Sequence, residues 1–324
     1  MRELKTTEAL GKTLCQDITQ IIKGEKKGPV FRKGHVIREE DIPVLLSVGK
    51  DHIYIWEEGE DTLHENDAAA MLYEMGRSEN MHPSEVKEGK IEFIADCDGM
   101  LKIQSEKLFA LNSFGQMMMA TKKNHSFIKK GEAFAGTRII PLSIEREKME
   151  EVKKIAPEGG ILQLLPFEKK KVGLISTGNE VFYKRIQDTF TPVVREKLSL
   201  YPVEIIGHVT CPDDVEQEKE AIQDFLRQGA DLVICMGGMS VDPDDRTPLA
   251  IRLSTEEVVS YGAPVLPGSM FMLAYAKGKV PVLGLPGSIM FCPTTVFDLV
   301  LPRIMAGDIV KKEEIDALGE GGLL

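Results

Sequence analysis

Four runs in the second half of the chain, VGLIS (172–176), VEIIGHV (203–209), DLVICM (231–236) and VPVLGL (280–285), are short, rich in β-branched residues and nearly all apolar. A segment of helical character separates each from the next. Strands apolar on both faces must be covered on both faces, and strands alternating with helices build parallel sheets. Residues 171–307 are therefore expected to form an α/β domain, a three-layer αβα arrangement around a parallel-rich sheet.

The first half has a different pattern. Gly28-Pro29 and Lys33-Gly34 mark turns, REEDIPVLLSVG (38–49) reads as a helix and HIYIW (52–56) as a strand. DTLHENDAAAMLYEM (61–75) has a helical period, with Leu63, Ala70 and Met71 on one side and acids on the other. Between residues 85 and 142 short strand-like runs such as KIEFIA, GMLKI and GTRIIPL alternate with turn residues. Residues 1–145 are thus expected to be a smaller β-rich or mixed α+β region, divisible into two subdomains. The charged helix beginning EREKMEEVKK supplies a helical connector over 146–170, and 308–324 form a C-terminal tail. No internal repeat is visible.

Composition limits the partners. At 324 residues and 43% hydrophobic content the chain is long enough for two packed domains, which excludes overall disorder. Its 51 Asp+Glu against 40 Lys+Arg give a net charge of −11, unsuited to coating nucleic acid or an anionic membrane. A small anionic ligand would be repelled as well, unless metal ions or backbone N–H groups receive it. Five scattered cysteines without a CxxC pair argue against disulfides or structural zinc, so a reducing cytoplasm fits. The polar start MRELKTTEALGKTL and the lack of any run near ~18 apolar residues point away from export or membrane spanning. Met117, Met118 and Met119 read as core filling.

The loops after the four strands carry the chemistry. They hold Thr177-Gly178-Asn179-Glu180, Cys211-Pro212-Asp213-Asp214, the stretch from Gly237 to Pro248, and Pro286-Gly287-Ser288. Open α/β sheets place their ligand crevice at the carboxyl ends of strands, which gathers these loops into one expected site. Gly178, Gly237, Gly238 and Gly287 allow close backbone approach and N–H donation to an anion. Glu180, Asp213, Asp214, Asp242, Asp244 and Asp245 bring carboxylates to the same rim, sensible beside phosphate if Mg²⁺ bridges the two. A single Asp here reads equally well as a helix cap. Acids on three separate loops, two of them also carrying glycines, are not explained by capping.

There is no GxGxxG, GxxxxGK[ST], HExxH or GxSxG, which removes the main support for dinucleotide, P-loop, zincin and α/β-hydrolase readings. The six histidines lack ligand spacing and read as surface or supporting residues. Cys211 and Cys292 read as small buried residues rather than reactive thiols.

With these motifs assembled, the second half resembles the molybdopterin-binding domain of molybdenum-cofactor biosynthesis proteins, in particular the molybdopterin molybdenumtransferases. The resemblance rests on STGNEV (176–181), IQDTF (186–190), Pro-Asp-Asp (212–214), GGMSVDPDDRTP (237–248) and LPGS (285–288), in family order and spacing. FRKGHVIREEDIPVLLSVG (31–49) is a looser match to the front of those transferases. The resemblance implies molybdopterin or its adenylylated form on the glycine loops, with Thr177, Gly178, Asp188, Asp214, Gly237, Gly238, Ser240, Pro286, Gly287 and Ser288 around it. It implies catalytic Glu180, Asp213 and Asp245, and Mg²⁺ held by Glu180, Asp242 and Asp245. Metal insertion from molybdate is the implied reaction. Adenylyl transfer (from DRTP, 245–248), a non-catalytic cofactor carrier serving a molybdoenzyme client, and nucleotide pyrophosphate hydrolysis are the alternatives. Relatives assemble as dimers or trimers, so a homo-oligomer is expected.

The chain also departs from the pattern. Asn179 replaces the usual Asp, Ser288-Ile289 replace Asn-Pro, and CDGM (97–100) only echoes the SxMDGxA motif. No counterpart of the transferases' C-terminal β-domain is expected in the short tail after residue 307.

Overall fold

The computed structural model describes residues 2–22, 26–55 and 61–324. Trp56, the last residue of the expected strand HIYIW, lies outside them; His52–Ile55 is a strand. The chain divides into two compact units, one of residues 1–97, 102–124 and 129–164, the other of 98–101, 125–128 and 165–324. Among the described residues no helix is long and apolar enough to cross a membrane.

The first unit is a mixed α+β arrangement. An antiparallel sheet runs in the order Met81–Pro83, Ile91–Ala95, Ala133–Ile139, Met117–Thr121. Met117 and Met119 are buried on it, as core methionines. Helix Glu65–Gly76 lays Tyr73 against Phe93, their rings 4.6 Å apart. A satellite core of Leu14, Ile18, Ile37, Leu45, Ile53 and Ile55 closes the front.

Three helices are shorter than their sequence suggests, the one expected over 38–49 covering only Asp41–Ser47. Thr62–His64 is a strand paired with Ser143–Glu145, and the helix starts only at Glu65, where His64 Nδ1 accepts the Asn66 N–H at 3.2 Å. The charged helix covers Arg146–Lys153 alone; Gly159 and Gly160 then turn the chain into strand Leu162–Pro166.

The second unit is the expected αβα sandwich. Its strands are β1 (Lys170–Thr177), β2 (Val203–Cys211), β3 (Leu232–Met236), β4 (Glu257–Tyr261), β5 (Met272–Ala276) and β6 (Val280–Leu285). They lie in the order β2-β1-β3-β6-β5-β4. β2, β1, β3 and β6 are mutually parallel, and β5 and β4 extend the sheet antiparallel.

The helices are α1 (Asn179–Phe182), α2 (Phe190–Leu198), α3 (Val215–Arg227), α4 (Thr247–Ser254) and α5 (Val296–Met305). Side chains alternate along each strand, so β3 sends Leu232, Ile234 and Met236 to one core and Val233 and Cys235 to the other. The first core is completed by Val194 and Leu198 of α2 and Phe297 and Val300 of α5, the second by Ile222 and Phe225 of α3 and Ile251 of α4. Phe225 lies so close to the sheet that a β-carbon at Gly173 would fall 2.4 Å from its ring and one at Gly207 2.8 Å.

The tail is docked on this unit rather than trailing from it. Val310 and Ile315 are buried in the first core, and Arg303, itself 6% exposed, pairs with Asp308 and Glu314 at 2.6 and 2.7 Å.

Candidate functional site

Strand register sets the site. Thr177 is level with Cys211, Ser176 with Met236, and Met236 with Leu285, so the four parallel strands end at one line across the sheet. The loops beyond that line share one rim although they lie far apart in sequence.

After β1 the chain turns at Gly178 (φ 134°) into the short helix α1, with Glu180 exposed on it. The Asn179 N–H donates to Asp213 Oδ2 at 2.9 Å, and the Asp213 N–H returns to Asn179 Oδ1 at 3.4 Å. These two bonds join the β1 and β2 loops. Burial pushes the Asp213 carboxyl above its ordinary range; the Asn179 N–H opposes this, while the charges of Glu180, Asp244 and Asp245 add to it. Acids from the β1 and β3 loops therefore act on one carboxyl of the β2 loop.

In the β3 loop, the Asp242 N–H donates to Asp245 Oδ2 and the Asp245 N–H to the Asp242 carbonyl, both at 3.0 Å. Exposed Ser240 lends its carbonyl to the Tyr261 hydroxyl at 3.2 Å. Gly237 and Gly238 have φ of 96° and 59°, and side chains there would collide. A β-carbon on Gly237 would meet the Thr177 carbonyl at 2.8 Å, and one on Gly238 the Thr247 hydroxyl at 2.6 Å. Thr177 and Thr247 touch through their hydroxyls at 3.1 Å directly beneath these glycines.

Other expected residues are already engaged by the fold. Asp214 caps α3 by accepting the Gln217 N–H at 2.9 Å. Asp188 accepts the Phe190 and Thr191 N–H groups and the Ser176 and Thr191 hydroxyls. Burial alone would raise its carboxyl, but these donors hold it below the ordinary range. At the β6 end Pro286 is buried and Gly287 exposed, and the Ser288 hydroxyl is buried without a partner.

Three contributors are not apparent from the sequence. His208 Nε2 lies 2.8 Å from Ser176 Oγ and 3.2 Å from Thr191 Oγ1, and burial lowers its pKa. Its only signal is a polar pair, Ser176 and His208, inside otherwise apolar strands. Asn179 links two loops through backbone and side chain. Glu218 on α3 is 1% exposed, and neither of its oxygens makes a hydrogen bond of good geometry. It shares a helical stripe with Ala221, Ile222 and Phe225, where an acid is out of place.

Among the described residues, no three His, Cys, Asp or Glu side chains stand close enough to cage a metal. Glu180, Asp242 and Asp245 are not gathered in that way. Cys211 is buried and its thiol is pushed up to about 11, which fits a packing role.

Residues 173–306 match a family described as a probable molybdopterin binding domain, and residues 3–57 match a domain of unknown function. A molybdopterin molybdenumtransferase of Synechococcus elongatus is 27% identical over 180 residues, 53% of this chain and 42% of that protein. A CinA-like protein of Mycolicibacterium vanbaalenii is 38% identical over 78 residues, 24% of this chain and 18% of that one. The solved molybdopterin biosynthesis enzyme MoaB of Thermus thermophilus is 26% identical, covering 41% of this chain and 91% of its own with a TM-score of 0.37. The chain thus spans less than half the length of these curated relatives. The stretch that carries the glycine and acid loops, residues 173–306, is thus similar to molybdopterin-binding domains.

Proposed function

We propose that this is a molybdenum-cofactor biosynthesis protein that binds molybdopterin, or its adenylylated form, at the carboxyl edge of the αβα sheet and inserts molybdenum in a Mg²⁺-dependent reaction. One observation carries the reading: glycine loops and acids converge on one rim of a domain whose family is named for molybdopterin binding. The ligand phosphate would lie over Gly178, Gly237, Gly238 and Gly287, with Thr177, Ser240, Pro286 and Ser288 around it and Asp188 and Asp214 fixing the loops.

A Mg²⁺ ion usually takes one or two carboxylates, several waters and phosphate oxygens rather than an all-protein cage. The donor set fits that mode, because Glu180, Asp244 and Asp245 crowd Asp213 with negative charge that a hydrated cation would relieve. Glu180, Asp242 and Asp245 would hold the ion, which when bound would neutralise phosphate charge. Asp213, held by Asn179 and raised toward the working range of a general base, would take the proton from the water that cleaves the phosphoanhydride. Molybdate would be the metal source and a molybdoenzyme the recipient.

The test is anaerobic purification followed by mass spectrometry of the bound pterin. Adenylylated molybdopterin, converted to metal-loaded cofactor on adding molybdate and Mg²⁺, supports insertion. Pyrophosphate release from ATP and molybdopterin would move the protein to the adenylylation step. Tight binding of finished cofactor without turnover would make it a carrier.

A further inference from the structure

Glu218 takes no part in the rim itself, yet it lies at its base. It sits in the first turns of α3, which begins at the rim, and α3 packs along α4, the helix that starts at Thr247. Both carboxyl oxygens are buried and make no hydrogen bond of good geometry, while the Thr247 hydroxyl lies near enough to act on the carboxyl. Such a group is rare in native proteins and normally signals a function or a protonated state.

The hydroxyls nearby decide which state. The Thr177 hydroxyl donates to the Met236 carbonyl at 3.3 Å, so its proton is committed. In the 3.1 Å contact between Thr177 and Thr247, Thr247 must then be the donor. A hydroxyl has one proton, which leaves Thr247 only an acceptor toward its other neighbours. Thr247 faces Glu218, and a carboxyl can donate to it only while protonated.

The surroundings agree. The charged groups acting on Glu218 are Asp213 and Asp214 from the β2 loop, both acidic, and the thiols of Cys211 (β2) and Cys235 (β3) lie alongside, themselves raised by burial. Burial, reinforced by these acids and opposed by Thr247, pushes Glu218 up to about 7.

We propose that Glu218 is a neutral acid that sets the direction of a hydroxyl chain, Glu218 to Thr247 to Thr177 to the Met236 carbonyl, and so acts as a positioning residue for the anion received at Gly237 and Gly238. This rests on reading those glycines as an anion site. Ionised, Glu218 would turn the Thr247 proton toward itself, leave the Thr177 oxygen without its donor and set a buried negative charge under the loop.

The probe is inorganic sulfate, whose charge does not change near neutral pH, titrated calorimetrically against the whole chain. Wild-type affinity should fall about tenfold between about pH 6 and about pH 8, the size expected for one charge at close range in a protein. Glu218→Gln, which keeps a donor and cannot ionise, should hold the tight value throughout. Glu218→Leu should be weak at both. A wild-type profile as flat as that of Glu218→Gln overturns the proposal. Infrared difference spectra between wild type and Glu218→Gln give a ligand-independent reading: the carbonyl stretch of a protonated carboxyl must be present at about pH 6, and its absence also overturns the proposal. Failure of sulfate to bind any variant at any pH instead overturns the anion reading of the glycines and the coupling built on it, while the infrared band still decides the state of Glu218.

Discussion

Asn179 and Asp213 hold each other by a reciprocal pair of bonds, the Asn179 N–H to the Asp213 carboxylate at 2.9 Å and the Asp213 N–H to the Asn179 amide oxygen at 3.4 Å. Asp213→Asn keeps an oxygen for the first bond and removes only the charge. It should leave the melting temperature within a degree or two while lowering cofactor-forming turnover about a hundredfold, the usual weight of a general base. Retained turnover would remove Asp213 from the chemistry. Glu180→Gln and Asp245→Asn should behave alike, with turnover partly restored by raised Mg²⁺.

Metal removal is the second check. EDTA should weaken pterin binding measured by fluorescence, and Mg²⁺ should restore it, because the acids at the rim otherwise repel a phosphate. Equal affinity in metal-free buffer would count against the carboxylates as a cation site.

Stability should depend on pH through Glu218. Its folded pKa is raised from 4.5 to about 7, so the stabilisation is complete below about 4.5 and is lost as pH rises toward about 7. The loss is on the order of 3 kcal/mol. Urea unfolding of wild type against Glu218→Gln across this window should show the difference shrink as pH falls, and parallel curves would contradict it.

Gly238→Ala would need a positive φ and put a methyl against the Thr247 hydroxyl. It should cost about 1–3 kcal/mol and abolish sulfate or pterin binding. Gly173→Ala, which strikes the Phe225 ring far from the rim, should cost a similar amount without changing the ligand affinity of the folded fraction.

Arg303→Ala removes the guanidinium that Asp308 and Glu314 share, and Asp308 is the more deeply buried of the two. A loss of about 3 kcal/mol is expected by chemical denaturation. An unchanged midpoint would show that the tail contributes little.

β1, β3 and β6 are legible in the sequence because burial on both faces leaves an unbroken apolar run, the edge strand β2 is legible by its β-branched residues although it is largely half-exposed, and the carboxyl ends of all four locate the rim. The antiparallel strands β4 and β5 are not legible: EVVSY is only half apolar, and MLAYA, buried throughout, has no period that separates strand from helix. The helix expected over 61–75 is too long because the partner of Thr62–His64 lies at Ser143–Glu145, a pairing invisible to a local window. At the site, acids and glycines can be placed by loop position alone. Glu218 is hidden in the charged run EQEKE, and only the stripe it shares with Ala221, Ile222 and Phe225 sets it apart. His208 and Ser176 come together solely through strand register, which the sequence does not display.

The common ending of β2, β1, β3 and β6 also says where the protein can be engineered. Its opposite edge carries exposed connectors, the turn at Gly229 before β3 and the turn at Lys277–Lys279 before β6. A reporter peptide or fluorescent protein inserted there would be a full strand length from the ligand rim, since each loop is held by its strand's place in the sheet and not by the continuity of the chain. The same insertion after Met236 or Leu285 would open the crevice itself.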